Sequence, residues 1–362
     1  MSVLFAGGGT GGHLYPALAL AEEIRAQRPD WAIAFMGTPT RMEAQLVPQH
    51  GYPFYPVNVV GMPRKLGPEL LRFGKALWGS VSEARRIIRE VKPRIVVGTG
   101  GYVSAPAVLA ARLEGIPAVI CEQNVFPGIA NRALATVATR IITTFPESDR
   151  YFPAGKSECL GNPIRPEAYR LSRDEARGKL GFPPVEHLLL VTGGSLGAKS
   201  INRATVDALD AWLSQPDWAV LHVAGKGDIE AVREATSRFA DEPRYRLVEF
   251  LSEMPAAIAA ADLVVSRAGA TTLSELTAAG KPMVLVPYQF GGKDQPANAR
   301  SLSEAGAAIA LDDRDLTGLG DAVTALMGDA ERRTRMSEAS RGFGRPDAAQ
   351  RIVARLLELA ER

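Results

Sequence analysis

The chain has little cysteine, little histidine and no long apolar run. Its two cysteines, Cys121 and Cys159, are too few for a disulfide framework. They are expected as reduced thiols of a cytoplasmic protein. Only four histidines occur. There is no His/Cys cluster and no Asp-x-Asp motif is found near a strand end, so neither a metal nor another cofactor is expected. The longest uncharged stretch, 95–111, is interrupted by Gly98, Gly100, Gly101 and Pro106 well before it could span a bilayer. An excess of one charge is also missing: 42 basic against 40 acidic residues leave a net charge of +2, which excludes a general grip on nucleic acid. The first six residues, apolar but for Ser2, meet Gly7 at once and follow no basic segment, so no export signal is expected. A soluble or peripheral protein remains.

What is present is ordinary globular material. Hydrophobic residues make up 46% and charged residues 23% of the 362 residues, enough for two domains at roughly 150 residues each. A pattern of strand, glycine loop and helix occurs twice. The first begins with a strand over 3–6, followed by Gly7-Gly8-Gly9-Thr10-Gly11-Gly12 and by Leu14, Ala17, Leu18, Ala21 and Ile24 at helical spacing. Further strands are predicted over 32–36, 94–97, 118–121 and 141–144. A second set follows Gly161-Asn162-Pro163 and Pro166, a natural linker. It has strands over 188–192, 219–223, 246–250, 263–266 and 283–287. Only helices are expected after Ala330, the last starting at Pro346. These short, uniformly apolar strands suit parallel sheets covered on both faces. The expected fold class is α/β, with two doubly wound Rossmann-like domains, 1–162 and 163–345, facing across a cleft. The C-terminal helix 346–362 is expected to pack back on the first domain.

Gly7, Gly9 and Gly12 match the dinucleotide pattern G-x-G-x-x-G. That reading also requires an acid at the end of the next strand, and Phe35-Met36-Gly37-Thr38 holds none. The second loop, Gly193 to Lys199-Ser200, nearly spells a P-loop, but Ala198 stands where its second glycine belongs. An NAD(P) oxidoreductase and an ATPase are therefore both disfavoured. Loops this rich in glycine at helix starts still suit an anion, and phosphate binding is expected.

The stretch Ser266-Arg267-Ala268-Gly269-Ala270-Thr271-Thr272-Leu273-Ser274-Glu275 joins a strand to a helix. Small residues such as Ala270, Thr271 and Thr272 let a diphosphate approach the backbone, and Glu275 lies one turn on, where a carboxylate accepts from ribose hydroxyls. This arrangement resembles the nucleotide-sugar site of GT-B glycosyltransferases. Three further segments, Gly9-Thr10-Gly11-Gly12-His13, Gly100-Gly101-Tyr102-Val103-Ser104 and Glu122-Gln123-Asn124, look like the acceptor loops of the MurG family of bacterial N-acetylglucosaminyltransferases. Gly161-Asn162-Pro163-Ile164-Arg165, Gly193-Gly194-Ser195 and Asp294-Gln295 with Asn298 continue the likeness in order, over essentially the whole chain. The chain departs from the family's habit at Cys121, often histidine there, and around Phe290-Gly291-Gly292-Lys293.

The resemblance implies transfer of GlcNAc from UDP-GlcNAc to the C4 hydroxyl of MurNAc-pentapeptide on undecaprenyl diphosphate, lipid I, in peptidoglycan synthesis. It implies inversion at the sugar, no obligatory ion, and a place at the cytoplasmic face of the bacterial membrane. His13, directly after the glycine loop, is the expected general base, kept neutral by the positive helix end. His50, His187 and His222 are expected to be structural. By the same likeness Thr10, Gly11, Gly12, Tyr102, Glu122 and Asn124 contact substrate. Arg165 and Ser195 meet the diphosphate, Leu251 meets uracil through its backbone, and Gln295 and Asn298 hold the GlcNAc hydroxyls. A UDP-GlcNAc 2-epimerase shares fold and donor and is the alternative, as is a subunit that only binds the nucleotide sugar. Nine Lys/Arg against three Glu lie between Arg64 and Arg94. Within that span Leu70, Leu71, Phe73, Leu77 and Trp78 mingle with Arg64, Lys65, Arg72 and Lys75, so 64–78 is expected to dock on an anionic membrane surface. The competing reading of those residues is a helix whose apolar face packs on the sheet.

Overall fold

The computed structural model describes residues 1–61, 68–164, 167–194, 197–289 and 292–361. The chain divides into two compact units, one comprising Met1–Ile164 with Asp347–Arg362, the other Arg165–Pro346.

The first unit is built on a seven-stranded parallel sheet: β1 (Ser2–Gly7), β2 (Ala32–Gly37), β3 (Phe54–Pro56), β4 (Ile95–Gly100), β5 (Ala118–Glu122), β6 (Arg140–Thr143) and β7 (Ser157–Cys159). Their order is β3-β2-β1-β4-β5-β6-β7. Along β1, Val3 and Phe5 face one apolar layer while Leu4 and Ala6 face the other, the two-residue alternation of a pleated strand. Since both faces are buried, every position of β1 is apolar or small, which is why the run lacks polar alternation. The layer on the Val3 side is closed by the Gly11–Gln27 helix and by Ile352, Val353, Leu356 and Leu359 of the Ala348–Glu361 helix. Arg355 of that helix reaches Glu158 at 2.6 Å, and Glu361 meets Arg28 at 3.2 Å.

The second unit carries β8 (His187–Thr192), β9 (Trp218–Val223), β10 (Tyr245–Val248), β11 (Leu263–Ser266), β12 (Met283–Leu285) and β13 (Ala308–Ala310). The order is β10-β9-β8-β11-β12-β13, again parallel. Its core gathers Leu189, Val191, Trp212, Val220, Val265 and Val323.

Three strands escape the sequence reading: β3, β7 and β13. Each has three residues, lies at the edge of its sheet and is partly exposed. An edge strand is covered less, so it needs no apolar run, and β3 even tolerates Pro56. The strand expected over 246–250 stops at Val248, and Glu249 and Phe250 are exposed. Among the described residues no helix is long and apolar enough to cross a membrane.

Candidate functional site

Parallel strands deliver the loops at their carboxyl ends to one edge of each sheet. In the first unit Gly7 is level with Gly100 across a register shift, where Thr99 bulges from β4. The bulge lets Thr99 serve two loops at once. Its hydroxyl donates to the carbonyl of His13 at 2.8 Å, and its carbonyl accepts from Gln123 Nε2 at 2.8 Å. Ser104 Oγ similarly ties β1 to β4: it lies 2.9 Å from both the Ala6 and the Gly100 carbonyl, one of which takes its single proton, and it accepts from Gly100 N at 3.0 Å. The loops beginning at Gly7, Gly100 and Glu122 are thus held together by buried hydroxyls and an amide.

His13 is half-buried in the first turn of the Gly11–Gln27 helix, which begins after Thr10 with no side-chain cap. Its Nδ1 lies 3.3 Å from both the Gly8 carbonyl and Thr10 Oγ1. A carbonyl only accepts, so the Gly8 contact fits a proton on Nδ1 and a lone pair on Nε2. Burial is the main cause holding the imidazole below its ordinary value, opposed by the Gly8 carbonyl and the Glu43 carboxylate. The neutrality expected from the helix end therefore comes mainly from burial.

Glu122, expected to contact substrate, is engaged by its own loop. It is only 3% exposed and accepts from its own loop: Asn124 N at 2.9 Å, Gly128 N at 3.1 Å and Asn131 Nδ2 at 2.8 Å. Burial raises its pKa and these hydrogen bonds lower it. Its role is to shape the turn that carries Asn124, which is half-buried. Tyr102 is 61% exposed and lies beside Gly61. The Cys121 thiol is buried and pushed up to about 12, first by desolvation and then by Glu122, which disfavours the thiolate at neutral pH.

In the second unit Thr192, Ser266 and Leu285 lie level across β8, β11 and β12. The loops after β8 and β11 therefore emerge side by side. Gly194 N donates to Thr192 Oγ1 at 3.2 Å and Gly197 N to the Gly194 carbonyl at 3.0 Å, so these two amides brace the loop itself. The Ala270–Ala278 helix starts after Gly269 without a side-chain cap, and Thr271 and Thr272 are half-buried in its first turn. Glu275 is 5% exposed. Asn298 is fully buried, and its Nδ2 donates to the Ala268 carbonyl at 3.1 Å. That bond supports the loop before Ala270. Gln295, half-buried, accepts from Tyr288 N at 2.9 Å, and Leu251 is half-buried in the segment after β10. Arg165 and Ser195 lie outside the described residues, as do Arg64, Lys65, Phe290 and Gly291.

Three charged groups were given no role in the sequence reading. Glu43, fully buried, reaches back to the end of β2, where no acid had been found. Arg267 forms an ion pair with Asp313 at 2.6 Å, donates to the Val286 carbonyl at 3.0 Å, and lies 3.2 Å from Ser200 Oγ. Contrary to the sequence reading, Asp313-Arg314-Asp315 is an Asp-x-Asp run near the end of β13, a strand too short and exposed to be recognised. Its carboxylates are taken by Arg267 and Ser200 and by Thr317. Among the described residues no group of three or more His, Cys, Asp or Glu is placed to hold a metal. His222 is enclosed between Tyr245 OH at 3.1 Å and Asn202 Oδ1 at 3.0 Å, with burial holding it down at about 4.

Comparison with known proteins matches residues 3–143 to the glycosyltransferase family 28 N-terminal domain and 188–352 to its C-terminal domain. A UDP-N-acetylglucosamine--N-acetylmuramyl-(pentapeptide) pyrophosphoryl-undecaprenol N-acetylglucosamine transferase of Desulfitobacterium hafniense is 44% identical over 99% of this chain and 100% of that protein. The crystal structure of MurG from Acinetobacter baumannii superposes with a TM-score of 0.78 at 30% identity, covering 99% of both chains. UDP-GlcNAc 2-epimerase of Neisseria meningitidis shares the fold alone, with a TM-score of 0.65 at 17% identity over 99% of this chain and 100% of that one.

Proposed function

Because the chain belongs to glycosyltransferase family 28, we infer that it transfers N-acetylglucosamine from UDP-GlcNAc to the C4 hydroxyl of the MurNAc-pentapeptide of lipid I. The products are lipid II and UDP, and the reaction is a step of peptidoglycan synthesis. The observation that carries this reading is identity of 44% along the full length of a transferase with that activity in its name. The shared two-unit fold alone would not separate a transferase from an epimerase.

The chemistry is a single displacement with inversion. The acceptor oxygen bonds to the anomeric carbon as the bond from that carbon to the β-phosphate oxygen breaks, and the electron pair leaves with UDP. The hydroxyl proton goes to His13 Nε2, the nitrogen left unprotonated when Nδ1–H faces the Gly8 carbonyl. An imidazole held below its ordinary value is ready for this at neutral pH. Thr10, Gly11, Gly12, Tyr102 and Asn124 are assigned to the acceptor. Ala270, Thr271 and Thr272 are assigned to the diphosphate, because the uncapped helix start offers backbone N–H groups there. Glu275 is assigned to the ribose, Leu251 to uracil and Gln295 to the sugar. Arg165 and Ser195 are assigned to the diphosphate on resemblance alone.

The acceptor is a lipid, so the protein works peripherally at the cytoplasmic membrane face and docks there through the Pro68–Val91 helix. In support, Trp78 is 66% exposed and Arg72 and Lys75 are exposed near it, while Val81, Ala84, Ile87 and Ile88 of the same helix enter the core. One helix thus offers both a buried face and an exposed basic aromatic end.

The deciding experiment follows UDP release from UDP-GlcNAc with and without a lipid I analogue. Acceptor-dependent release with formation of the disaccharide product is expected. Release indifferent to acceptor, or interconversion of the sugar alone, overturns the reading.

A further inference from the structure

We propose that Glu43 is a positioning residue for the reaction, its carboxylate holding the first glycine loop so that the Gly8 carbonyl orients the imidazole of His13. The proposal rests on the transferase reading given above and adds a residue to it.

The geometry carries the argument. Glu43 sits at the start of the short Glu43–Gln49 helix, yet its side chain turns away from solvent and is fully buried. One oxygen, Oε2, accepts the N–H of Gly9 at 3.0 Å. The other, Oε1, accepts both the N–H of Thr38 at 3.1 Å and its hydroxyl at 2.5 Å. The carboxylate therefore bridges the loop after β1 to the end of β2. It also lies flat against Gly8: a Cβ there would fall 2.3 Å from Glu43 Cδ, so only glycine permits the contact. With Gly8 pressed on one side and Gly9 bonded on the next, the peptide between them has one orientation, and the Gly8 carbonyl it carries is the atom 3.3 Å from His13 Nδ1. Three donors replace the water that a buried carboxyl group has lost. Both the orientation of the loop and the nearby negative charge bear on the imidazole.

The arrangement also explains a disagreement in the sequence. The glycine loop resembles a dinucleotide fingerprint, but the acid at the end of β2 arrives from Glu43 and bonds the loop's own backbone. Gly9 N–H is thereby occupied by a carboxylate, which sets this loop apart from a phosphate cradle.

The charged group acting on the His13 ring is Glu43, and its effect favours the protonated form. Removing that charge lowers the pKa of His13, so the acid limb of turnover moves to lower pH. The test compares wild type, Glu43→Gln, His13→Ala and the double variant. Glu43→Gln is expected to lower kcat about tenfold with KM for UDP-GlcNAc unchanged, and to move the acid limb down. The double variant is expected to be no slower than His13→Ala. An NMR titration of the His13 ring in the substrate-free protein reads the same shift without activity, so it stands even where wild type shows no acceptor-dependent turnover and the transferase reading fails. Thr38→Val keeps the charge while removing one donor, and serves where Glu43→Gln does not fold; it is expected to lower kcat in the same direction by a smaller factor. An unmoved titration with Glu43→Gln, losses that multiply in the double variant, or a Thr38→Val enzyme of wild-type kcat overturns the proposal.

Discussion

The imidazole of His13 occupies the space a side chain at Gly100 would fill. A Cβ on Gly100 would lie 2.3 Å from His13 Cδ2 and 2.8 Å from Nε2, and Gly100 itself has φ +116°. Two residues far apart in sequence are thus fitted to each other through the absence of one side chain.

Gly100→Ala is therefore expected to cost turnover as well as stability. Gly115→Ala is the control, since Gly115 also has positive φ, +72°, but nothing lies within 4 Å of its Cβ position. Both substitutions are expected to destabilise by about 1 kcal/mol or more through backbone strain. Only Gly100→Ala should reduce kcat by about tenfold or more, with KM for UDP-GlcNAc unchanged. Thermal unfolding and steady-state kinetics on the pair check this.

Glu275→Ala tests the donor assignment. Loss of charged hydrogen bonds to the ribose costs about 1.5–3 kcal/mol, or roughly ten- to a hundred-fold in donor affinity. A rise in KM for UDP-GlcNAc of that size, with an unchanged circular dichroism spectrum, is the expected result. An unchanged KM would place the nucleotide elsewhere.

The Arg267–Asp313 pair is nearly covered, with side-chain exposures of 13% and 6%. Asp313→Ala leaves the guanidinium buried without its counter-charge, with the Val286 carbonyl, Ser200 and the Tyr288 ring as its neighbours, and is expected to destabilise by about 3–5 kcal/mol in urea unfolding. Arg267→Met/Asp313→Leu removes both charges and should recover a large part of that loss. A double variant as unstable as the single would show that the pair is not the source.

Acid weakens the fold through His222. Its folded pKa is depressed to about 4 by burial, against about 6.5 when unfolded, so the unfolded state binds the extra proton between those values. The contribution is present in full above pH 6.5 and is lost as pH falls toward 4. Between pH 7.5 and pH 5 this amounts to about 2 kcal/mol. Glu122, raised by burial, acts in the opposite direction. The His222 share is therefore the part of the pH dependence that disappears in His222→Gln, measured by denaturant unfolding at both pH values.

Membrane docking is checked by liposome flotation. With anionic vesicles, wild type is expected to float, and Trp78→Ser and Arg72→Glu/Lys75→Glu to float less. Each basic side chain near the surface contributes about 1 kcal/mol, so the charge-reversed variant should lose most of its binding at physiological salt. Equal flotation of all three proteins would remove the helix from the docking surface.

The amino-acid sequence by itself determined the central strands and the glycine loops that follow β1 and β8. A strand buried on both faces must be apolar at every position, and a chain that turns from such a strand into a helix needs small residues there, so both leave local patterns. Order along the chain likewise marked the family, because its motifs fall on short contiguous segments. Only the tertiary structure decided what those segments touch. Edge strands β3, β7 and β13 are recognisable through their hydrogen-bonded neighbours rather than through their residues. Glu122 and Asn298 stand out in the sequence through the family likeness, and packing adds their backbone partners: Asn124 of its own loop for Glu122, and Ala268 of a distant loop for Asn298. Glu43 and Asp313 lie in unremarkable polar stretches and acquire their roles from partners across the sheet ends, Gly9 for one and Arg267 for the other. Residue type sets which hydrogen bonds a side chain is able to make; the packing of distant strands sets which of them it makes.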